Sequence, residues 1–346
     1  MTKVLVVHDS MVVQRMLARE LSKAPDLEIV GTAVDSHVAH ERVAELAPDV
    51  LLLDVEMARM DGLGFLEELM LRRPTPVVLV SALSAEGGPR VLRALALGAI
   101  DVVGRPSSQF TPPNLAGRLT SAVRIAATAR LQPPIDPVVP PPPRALAPRR
   151  PEGGQVLCVG ASTGGTRALR ALLPRLPPDG PATVVAQHLP LELTTTLATH
   201  LDALGSLHVR EARDGDRLEP GVALIAPGER LATVVRDGGG LVVRVTEAPM
   251  PHHRARVDAL FESVASAVGS TAMGVLLGGE GRDGAAGLAA LRAAGARTIA
   301  EDEATSVVRE APRAAIELGA AELTLPLGRI AEAVDRWLAA TPDEVT

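Results

Sequence analysis

Short apolar runs alternate with amphipathic stretches over the first 125 residues or so of the chain. The runs are rich in Val, Leu and Ile, and each is followed by apolar residues at helical spacing. The pairs are KVLVV with MVVQRMLAREL, EIVGTA with HVAHERVAEL, VLLL with LGFLEELML, PVVLV with VLRALALG, and IDVV with LAGRLTSAVRIAA. Buried strands connected by helices form a parallel sheet with helices on both faces. The pattern therefore predicts a doubly wound α/β domain.

A proline-rich segment divides the chain into two halves. Residues 131–154 read LQPPIDPVVPPPPRALAPRRPEGG and lack apolar periodicity, which is typical of an extended, semi-rigid linker. With 346 residues, the chain is long enough for two domains that each bury a core. We expect one domain over residues 1–130 and a second over residues 155–342.

The strand and helix alternation resumes after the linker. The runs QVLCVG, ATVVAQ, TAMGVLLGG and TIAED are predicted strands, and amphipathic stretches lie between them. LATVVRDGGGLVVRVT is typical of a β-hairpin that turns at Gly238–Gly240. The second half is therefore predicted to be another doubly wound, mostly parallel α/β domain that carries a hairpin.

The composition excludes several classes of function. A net charge of −6 and 1% aromatic residues argue against nucleic acid as a partner, because cationic surface and stacking platforms are both scarce. No apolar run approaches the roughly 20 residues that cross a bilayer, and the amino terminus lacks a signal-peptide pattern. We expect a cytoplasmic protein without membrane insertion, in which the lone Cys158 is a small core residue.

Polar residues follow four strands of the first predicted sheet. They are His8-Asp9, Asp54, Ser81 and Gly104-Arg105. A single Asp at a strand end is commonly a turn or cap residue. Parallel sheets bind ligands at the carboxyl ends of their strands, so an acid, a hydroxyl and a cation at four such ends favour a binding site.

The segments VVHDS, LLLDVEMARMDG, VVLVSAL and ALGAIDVVGRP resemble the flavodoxin-like receiver domain of response regulators. The resemblance implies phosphorylation of Asp54 by a partner histidine kinase. It also implies Mg²⁺ held by Asp9, Asp54 and the backbone of Glu56, with Ser81 and Arg105 as switch residues. A divalent cation is physically reasonable, because a carboxylate that attacks phosphorus needs its like charge screened.

Two positions depart from the receiver pattern. The family usually has an acid where His8 stands and a lysine where Arg105 stands. We expect weaker Mg²⁺ binding at the first position and a changed switch at the second, because a planar guanidinium does not replace an ammonium freely. A degenerate receiver that serves only for docking stays an alternative.

The loop GASTGGT in the second half permits two interpretations. It fits the G-x-S-x-G pattern that presents a nucleophile, here Ser162, and it also fits a phosphate-binding loop. A dinucleotide site would place an acid about 20 residues further on, but the next strand ends in Gln187-His188. His188 suits a general base, and Asp283 could either orient it or cap a helix.

The segments GASTGGT, AQHLP, LIAPGE, RVDALF, GRDGAAGL and AGARTIAEDEAT resemble the catalytic domain of the protein-glutamate methylesterase (CheB) family. The resemblance implies hydrolysis of glutamate methyl esters, and deamidation of glutamines, on the cytoplasmic helices of methyl-accepting chemoreceptors. It implies Ser162 as nucleophile, His188 as base, Asp283 as its partner and Thr163 as support for the histidine. No cofactor is implied for the ester chemistry, and glycine-loop N–H groups are expected to hold the oxyanion.

The catalytic loop also departs from the family. TGMGNDG is usual where this chain has GGEGRDG at 278–284, which places Glu280 beside the catalytic turn. A weakly active or non-catalytic signalling paralogue and a nucleotide-dependent enzyme therefore stay open as alternatives. The family resemblance also implies that the receiver covers the catalytic cleft until it is phosphorylated, an arrangement that the sequence alone only permits.

Overall fold

The structure is a computed structural model that describes residues 1–57, 61–84, 86–105, 114–132, 154–247 and 256–339. The chain divides into two compact units, residues 1–135 and 136–346. That division falls within the predicted linker, most of which lies outside the described residues. The domain bounds given above therefore stay a prediction.

Strands and helices alternate along the described part of the first unit. Its elements are β1 (Thr2–Val7), α1 (Met11–Leu21), β2 (Leu27–Ala33), α2 (Ser36–Leu46), β3 (Val50–Leu53), α3 (Gly62–Arg72), β4 (Val77–Ser81), α4 (Gly88–Leu97), β5 (Asp101–Gly104) and α5 (Leu115–Thr128). The strands pair in parallel in the order β2-β1-β3-β4-β5. Helix α1 contacts α5, whereas α3 contacts both α2 and α4. The predicted doubly wound domain is confirmed.

The apolar runs of the first unit form its sheet because both faces of the strands are covered. Every residue of β3 and β4 is buried, which is the pattern of a parallel sheet between two helical layers. Ser10 and Asp35 begin α1 and α2 as N-caps, and their side chains accept hydrogen bonds from Val13 N–H and Val38 N–H.

The second unit contains a larger sheet and a separate hairpin. Its described elements are β6 (Val156–Ala161), α6 (Gly165–Leu172), β7 (Ala182–Gln187), α7 (Leu191–Asp202), β8 (His208–Glu211), β9 (Val222–Ile225), β10 (Arg230–Asp237), β11 (Gly240–Glu247), α8 (Arg256–Ala267), β12 (Ala272–Leu276), α9 (Ala285–Ala293), β13 (Arg297–Glu301), α10 (Glu310–Glu317), β14 (Leu323–Leu325) and α11 (Leu327–Ala339). Seven strands pair in parallel in the order β14-β13-β12-β6-β7-β9-β8. The antiparallel hairpin of β10 and β11 confirms that prediction.

The strand order of the large sheet reverses beside its first strand. Strands β7, β9 and β8 lie on one side of β6, with β8 at the edge. Strands β12, β13 and β14, which come later in the chain, lie on the other side of β6. Such a reversal opens a crevice beyond the carboxyl ends of the strands on either side. The ends of β12, β6 and β7 therefore lie next to one another, and these are the strands that precede Asp283, Ser162 and His188.

The core of the second unit includes the lone cysteine. Cys158 in β6 is fully buried, as predicted, and burial raises the pKa of its thiol. Among the described residues, no helix combines the length and apolar character that crossing a membrane requires.

Candidate functional site

Ser162 directly follows β6, and its backbone is hydrogen-bonded on both sides. Its N–H donates to Gly278 O at 3.1 Å, and its carbonyl accepts from Gly165 N–H at 2.7 Å. The tight turn occurs at Gly164, which has φ 82°, rather than at the serine. A Cβ on Gly164 would lie 2.7 Å from Val307 Cβ, so both the backbone conformation and the available space require glycine there.

His188 directly follows β7 and faces both other members of the predicted triad. Its N–H donates to Ala161 O at 3.0 Å, and its Nδ1 lies 3.1 Å from Ser162 Oγ. Its Nε2 lies 2.7 Å from Asp283 Oδ2, an ion-pair contact without hydrogen-bond alignment. A neutral ring with its proton on Nε2 leaves Nδ1 free to accept the serine proton.

Asp283 lies in the connection between β12 and α9, yet it caps a different helix. Its Oδ2 accepts hydrogen bonds from Arg256 N–H and Val257 N–H, each at 3.0 Å, and its Oδ1 accepts from Asp258 N–H at 2.9 Å. These are the first N–H groups of α8, which have no partner within that helix. The carboxylate therefore fixes the start of α8 while Oδ2 faces the imidazole, so the cap and the triad interpretations both apply.

Asp258, in α8, in turn caps the start of α9, the helix that follows Asp283. Its Oδ1 accepts from Gly284 N–H at 3.0 Å and Gly287 N–H at 2.7 Å, at the start of α9. Burial, together with the nearby Asp283 carboxylate, raises the pKa of Asp258, and its backbone hydrogen bonds act in the opposite direction. Asp258 lies within the segment RVDALF, but nothing in the sequence indicated that it would cap the helix that begins after Asp283.

Glu301 supports the serine loop from the end of β13. It is 2% exposed, and its Oε2 accepts from Gly278 N–H at 2.8 Å. The carbonyl of the same glycine accepts from Ser162 N–H. Burial raises the pKa of Glu301, while the Gly278 hydrogen bond and the charge of Arg167 oppose the shift. Sequence reasoning missed this residue, because a buried acid within TIAED is indistinguishable from a turn residue.

The glycine loops have fewer N–H groups to offer than the sequence suggested. Those of Gly278 and Gly281 donate to Glu301 and Glu310, and those of Gly165 and Gly279 donate to carbonyls. The N–H groups of Thr163 and Gly164, by contrast, make no hydrogen bond within the described part of the chain. Thr163 is buried beside the nucleophile, and its support of the histidine stays a prediction.

In the first unit, the predicted receiver residues meet around Asp54. This residue follows β3 and is 1% exposed. Its Oδ1 accepts from Glu56 N–H at 2.7 Å, and its Oδ2 accepts from Arg105 Nη1 at 2.7 Å. His8 Nε2 lies 3.1 Å from the same Oδ2. The two residues that depart from the receiver pattern therefore both contact the acid that is predicted to be phosphorylated.

The surroundings of His8 favour the neutral form of its side chain. Ser10 N–H donates to His8 Nδ1 at 2.9 Å, which directs the ring proton to Nε2 and so towards Asp54. Burial lowers the pKa of His8, although the charges of Asp54 and Asp9 act in the opposite direction. Asp9 Oδ1 lies 3.2 Å from His8 Nδ1.

Ser81 is paired with the side chain of Glu56 rather than with Asp54. Its hydroxyl donates to Glu56 Oε2 at 2.8 Å, and Ala82 N–H donates to the same oxygen at 3.1 Å. The Glu56 carboxylate thus accepts from the Ser81 hydroxyl and Ala82 N–H, which are two donors that could bind a phosphoryl group on Asp54. The sequence predicted Ser81 at this strand end but gave no indication of its partner.

The acidic residues at these strand ends suit a hard cation in their chemistry. The resemblance assigns two carboxylates, Asp9 and Asp54, and a backbone group of Glu56. Oxygen donors of this kind are those that Mg²⁺ prefers. Within the described residues, no three His, Cys, Asp or Glu side chains group together as a metal site.

Comparison with protein families covers both units. The CheB methylesterase family model matches residues 157–334, more than half of the chain, and the response regulator receiver domain model matches residues 4–111. The chain belongs to the CheB methylesterase family. The expected combination of a receiver and a methylesterase domain is confirmed.

Relatives of this CheB-family chain match it along nearly its whole length. A protein of Anaeromyxobacter dehalogenans (strain 2CP-C), named protein-glutamate methylesterase/protein-glutamine glutaminase 4, is 46% identical over 337 residues, which cover 96% of this chain and 94% of the relative. A Pseudomonas aeruginosa protein named protein-glutamate methylesterase/protein-glutamine glutaminase 2 is 45% identical, with 96% and 95% covered. The crystal structure of the Thermotoga maritima CheB methylesterase catalytic domain aligns with a TM-score of 0.52 and 34% identity, covering 53% of this chain and 98% of that one.

Proposed function

We propose that this CheB-family enzyme hydrolyses glutamate methyl esters on the cytoplasmic helices of chemoreceptors, and deamidates certain glutamines there, by a Ser162-His188-Asp283 triad. The observation that carries the proposal is the continuous contact from hydroxyl to imidazole to carboxylate, at 3.1 Å and 2.7 Å. The names of the relatives support the substrate class. The nucleotide alternative is less well supported, because a phosphate-binding loop does not need the observed contact between Ser162 Oγ and His188 Nδ1.

The first chemical step forms a covalent intermediate. Ser162 Oγ attacks the ester carbonyl of the methylated glutamate while its proton passes to His188 Nδ1. Asp283 holds the imidazole through Nε2 and stabilises the positive charge that the ring gains. The low exposure of the His188 and Asp283 side chains, 14% and 8%, strengthens this charge interaction by limiting solvent screening.

The oxyanion that forms in this step needs N–H donors close to the nucleophile. Thr163 N–H and Gly164 N–H lie immediately after Ser162 and precede α6, so they are the donors we assign. Their position also benefits from the positive end of the helix dipole. A well-placed donor of this kind contributes about 3 to 4 kcal/mol to the transition state.

The second half of the reaction returns the enzyme to its starting state. The imidazolium of His188 gives its proton to the departing methoxide, and methanol leaves a glutamyl ester on Ser162. Water then attacks this ester, with His188 accepting its proton, and releases free glutamate. Deamidation follows the same steps with ammonia as the leaving group.

The receiver unit is proposed to regulate this reaction through phosphorylation of Asp54 by a histidine kinase of a chemotaxis-type pathway. Asp9, Asp54 and the backbone of Glu56 would hold Mg²⁺, which screens the negative charges that meet when a carboxylate attacks phosphorus. Arg105, which already donates to Asp54 Oδ2, is placed to hold a phosphoryl oxygen. Ser81 would leave Glu56 to contact the same group.

Phosphorylation of Asp54 can be tested by intact-mass analysis after incubation with acetyl phosphate and Mg²⁺. We expect the wild-type chain to gain one phosphoryl group and Asp54→Asn to gain none, because the amide cannot attack phosphorus. Asp49→Asn is the matched control, since Asp49 precedes the same strand at the opposite edge of the sheet. A wild-type chain that gains no phosphate would contradict the proposal.

Removal of residues 1–130 tests whether the receiver restrains the esterase. We expect methanol release without phosphodonor to increase by about 5-fold or more, the lower end of a typical regulatory coupling. The full-length Asp54→Asn variant is the comparison, because it should stay at the low basal rate with or without acetyl phosphate. Unchanged or reduced turnover of the truncated chain would argue against a covering role.

A further inference from the structure

Gln187 connects the backbone of the nucleophile to the backbone of the base. It is the last residue of β7 and is 6% exposed. Its Nε2 donates to Ser162 O at 2.9 Å and to His188 O at 3.0 Å. These two residues follow neighbouring strands at the point where the ladder between Ala161 and Gln187 ends. One amide group therefore connects the two backbone segments at the point where they leave the sheet.

The orientation of this amide follows from its partners. Two carbonyl oxygens can only accept hydrogen bonds, so the NH₂ side of the amide must face them. Gly165 provides the space, since a Cβ there would lie 2.1 Å from Gln187 Oε1. Within the described residues, Oε1 itself is buried without a hydrogen-bond partner. A buried acceptor without a partner is unfavourable. The two hydrogen bonds that Nε2 donates therefore offset the burial of this amide.

We infer that Gln187 is a positioning residue of the esterase, which sets the separation between Ser162 Oγ and His188 Nδ1. The inference rests on the proposed triad and adds a fourth side chain to it. The mechanism is geometric: the amide fixes both carbonyls relative to one another, and each carbonyl belongs to a residue whose side chain takes part in proton transfer. Gln187 touches neither substrate nor the reacting atoms.

Gln187→Met in the full-length chain tests this inference, because methionine keeps the length of the side chain and removes its donors. We expect kcat for methanol release from methylated receptor to fall about 10- to 100-fold, as displacements of about 1 Å do in active sites. KM should stay near the wild-type value, since the amide binds no substrate.

Thr183→Val is the matched control for loss of a buried hydrogen bond. Thr183 lies at the opposite end of β7, and its Oγ1 donates to Pro181 O at 3.0 Å. We expect this variant to lose a similar amount of thermal stability while it keeps its kcat. If Gln187→Met and Thr183→Val have the same kcat, the inference is overturned.

Gln187→Glu is the second variant, in case methionine prevents folding. A protonated carboxyl can donate to one carbonyl, whereas an ionised one repels both. The ratio of variant to wild-type kcat should therefore fall as pH rises through the pKa of the introduced carboxyl. A ratio that is the same at every pH, with the fold intact by circular dichroism, would contradict a donor role.

A double-variant measurement separates positioning from general damage. With p-nitrophenyl acetate as probe, Gln187→Met should slow the wild-type chain about 10-fold or more and leave the residual rate of His188→Ala nearly unchanged. An equal reduction in both backgrounds would overturn the inference. The triad itself is tested independently by Ser162→Ala, so failure of the proposed function and failure of this inference give different results.

Discussion

Ser162→Ala is expected to reduce methanol release from methylated receptor by about 10⁴-fold or more, the scale on which loss of a catalytic serine acts in other triad hydrolases. The reason is that, within the described part of the chain, Ser162 Oγ is the nucleophile that contacts His188 Nδ1, and alanine removes it. Release of methanol can be followed directly with receptor carrying a labelled methyl group. Release of ammonia from unmodified receptor should be lost in parallel, because both reactions use the same acyl-enzyme.

The matched control is Ser206→Ala, an exposed serine of the same unit. It should keep wild-type turnover. A Ser162→Ala variant that is folded and still releases methanol at the wild-type rate would remove the proposed nucleophile and with it the whole mechanism.

Asp283→Asn is expected to lower kcat by about 10⁴-fold, the effect that this change has in a serine protease triad. The neutral amide cannot stabilise the positive charge that the His188 ring gains. With its oxygen kept on Asp258 N–H, the amide places its NH₂ group where Oδ2 was, opposite His188 Nε2, and loses the bonds from Arg256 and Val257 N–H. The ring then accepts at Nε2 and carries its proton on Nδ1, where it can no longer receive the proton of Ser162. Steady-state kinetics should show the loss in kcat, and circular dichroism should show an intact fold.

Asp258→Asn is the comparison that separates catalysis from helix capping. Both acids accept backbone N–H groups at a helix start, but only Asp283 contacts the imidazole. We expect Asp258→Asn to change the free energy of unfolding and to leave kcat within about tenfold of wild type. If the two variants lose activity equally, Asp283 acts only as a structural cap.

The sequence predicted the triad because of where its members lie in relation to strands. Ser162 and His188 each come directly after an apolar run, and Asp283 lies in the turn after another. The carboxyl ends of parallel strands share one edge of a sheet, so residues far apart in the chain could be expected to meet there. That β12, β6 and β7 are immediate neighbours was not predictable from the runs alone, because strand order depends on how the helices pack.

The supporting residues were harder to predict for a different reason. Gln187, Asp258 and Glu301 act through backbone N–H and C=O groups, and every residue in the chain has such groups, so no spacing marks their partners. The direction in which the His188 ring faces is likewise a matter of packing. The short strands β8, β9 and β14 were also missed, since a three- or four-residue strand has too few alternations to show a period. Helix α10 was missed because its buried face consists of Ala and Pro rather than large apolar residues.

The exchange of caps between Asp283 and Asp258 links turnover to the architecture of the enzyme. Each helix of the α8 and α9 pair begins on a carboxylate that belongs to the start of the other, and one of those carboxylates also serves the imidazole. A substitution of Asp283 that changes its interaction with the imidazole therefore also weakens the N-terminal cap of α8. The turnover number and the free energy of unfolding therefore cannot be changed independently at Asp283. This makes Asp283 a poor position for engineering either a faster or a more stable enzyme.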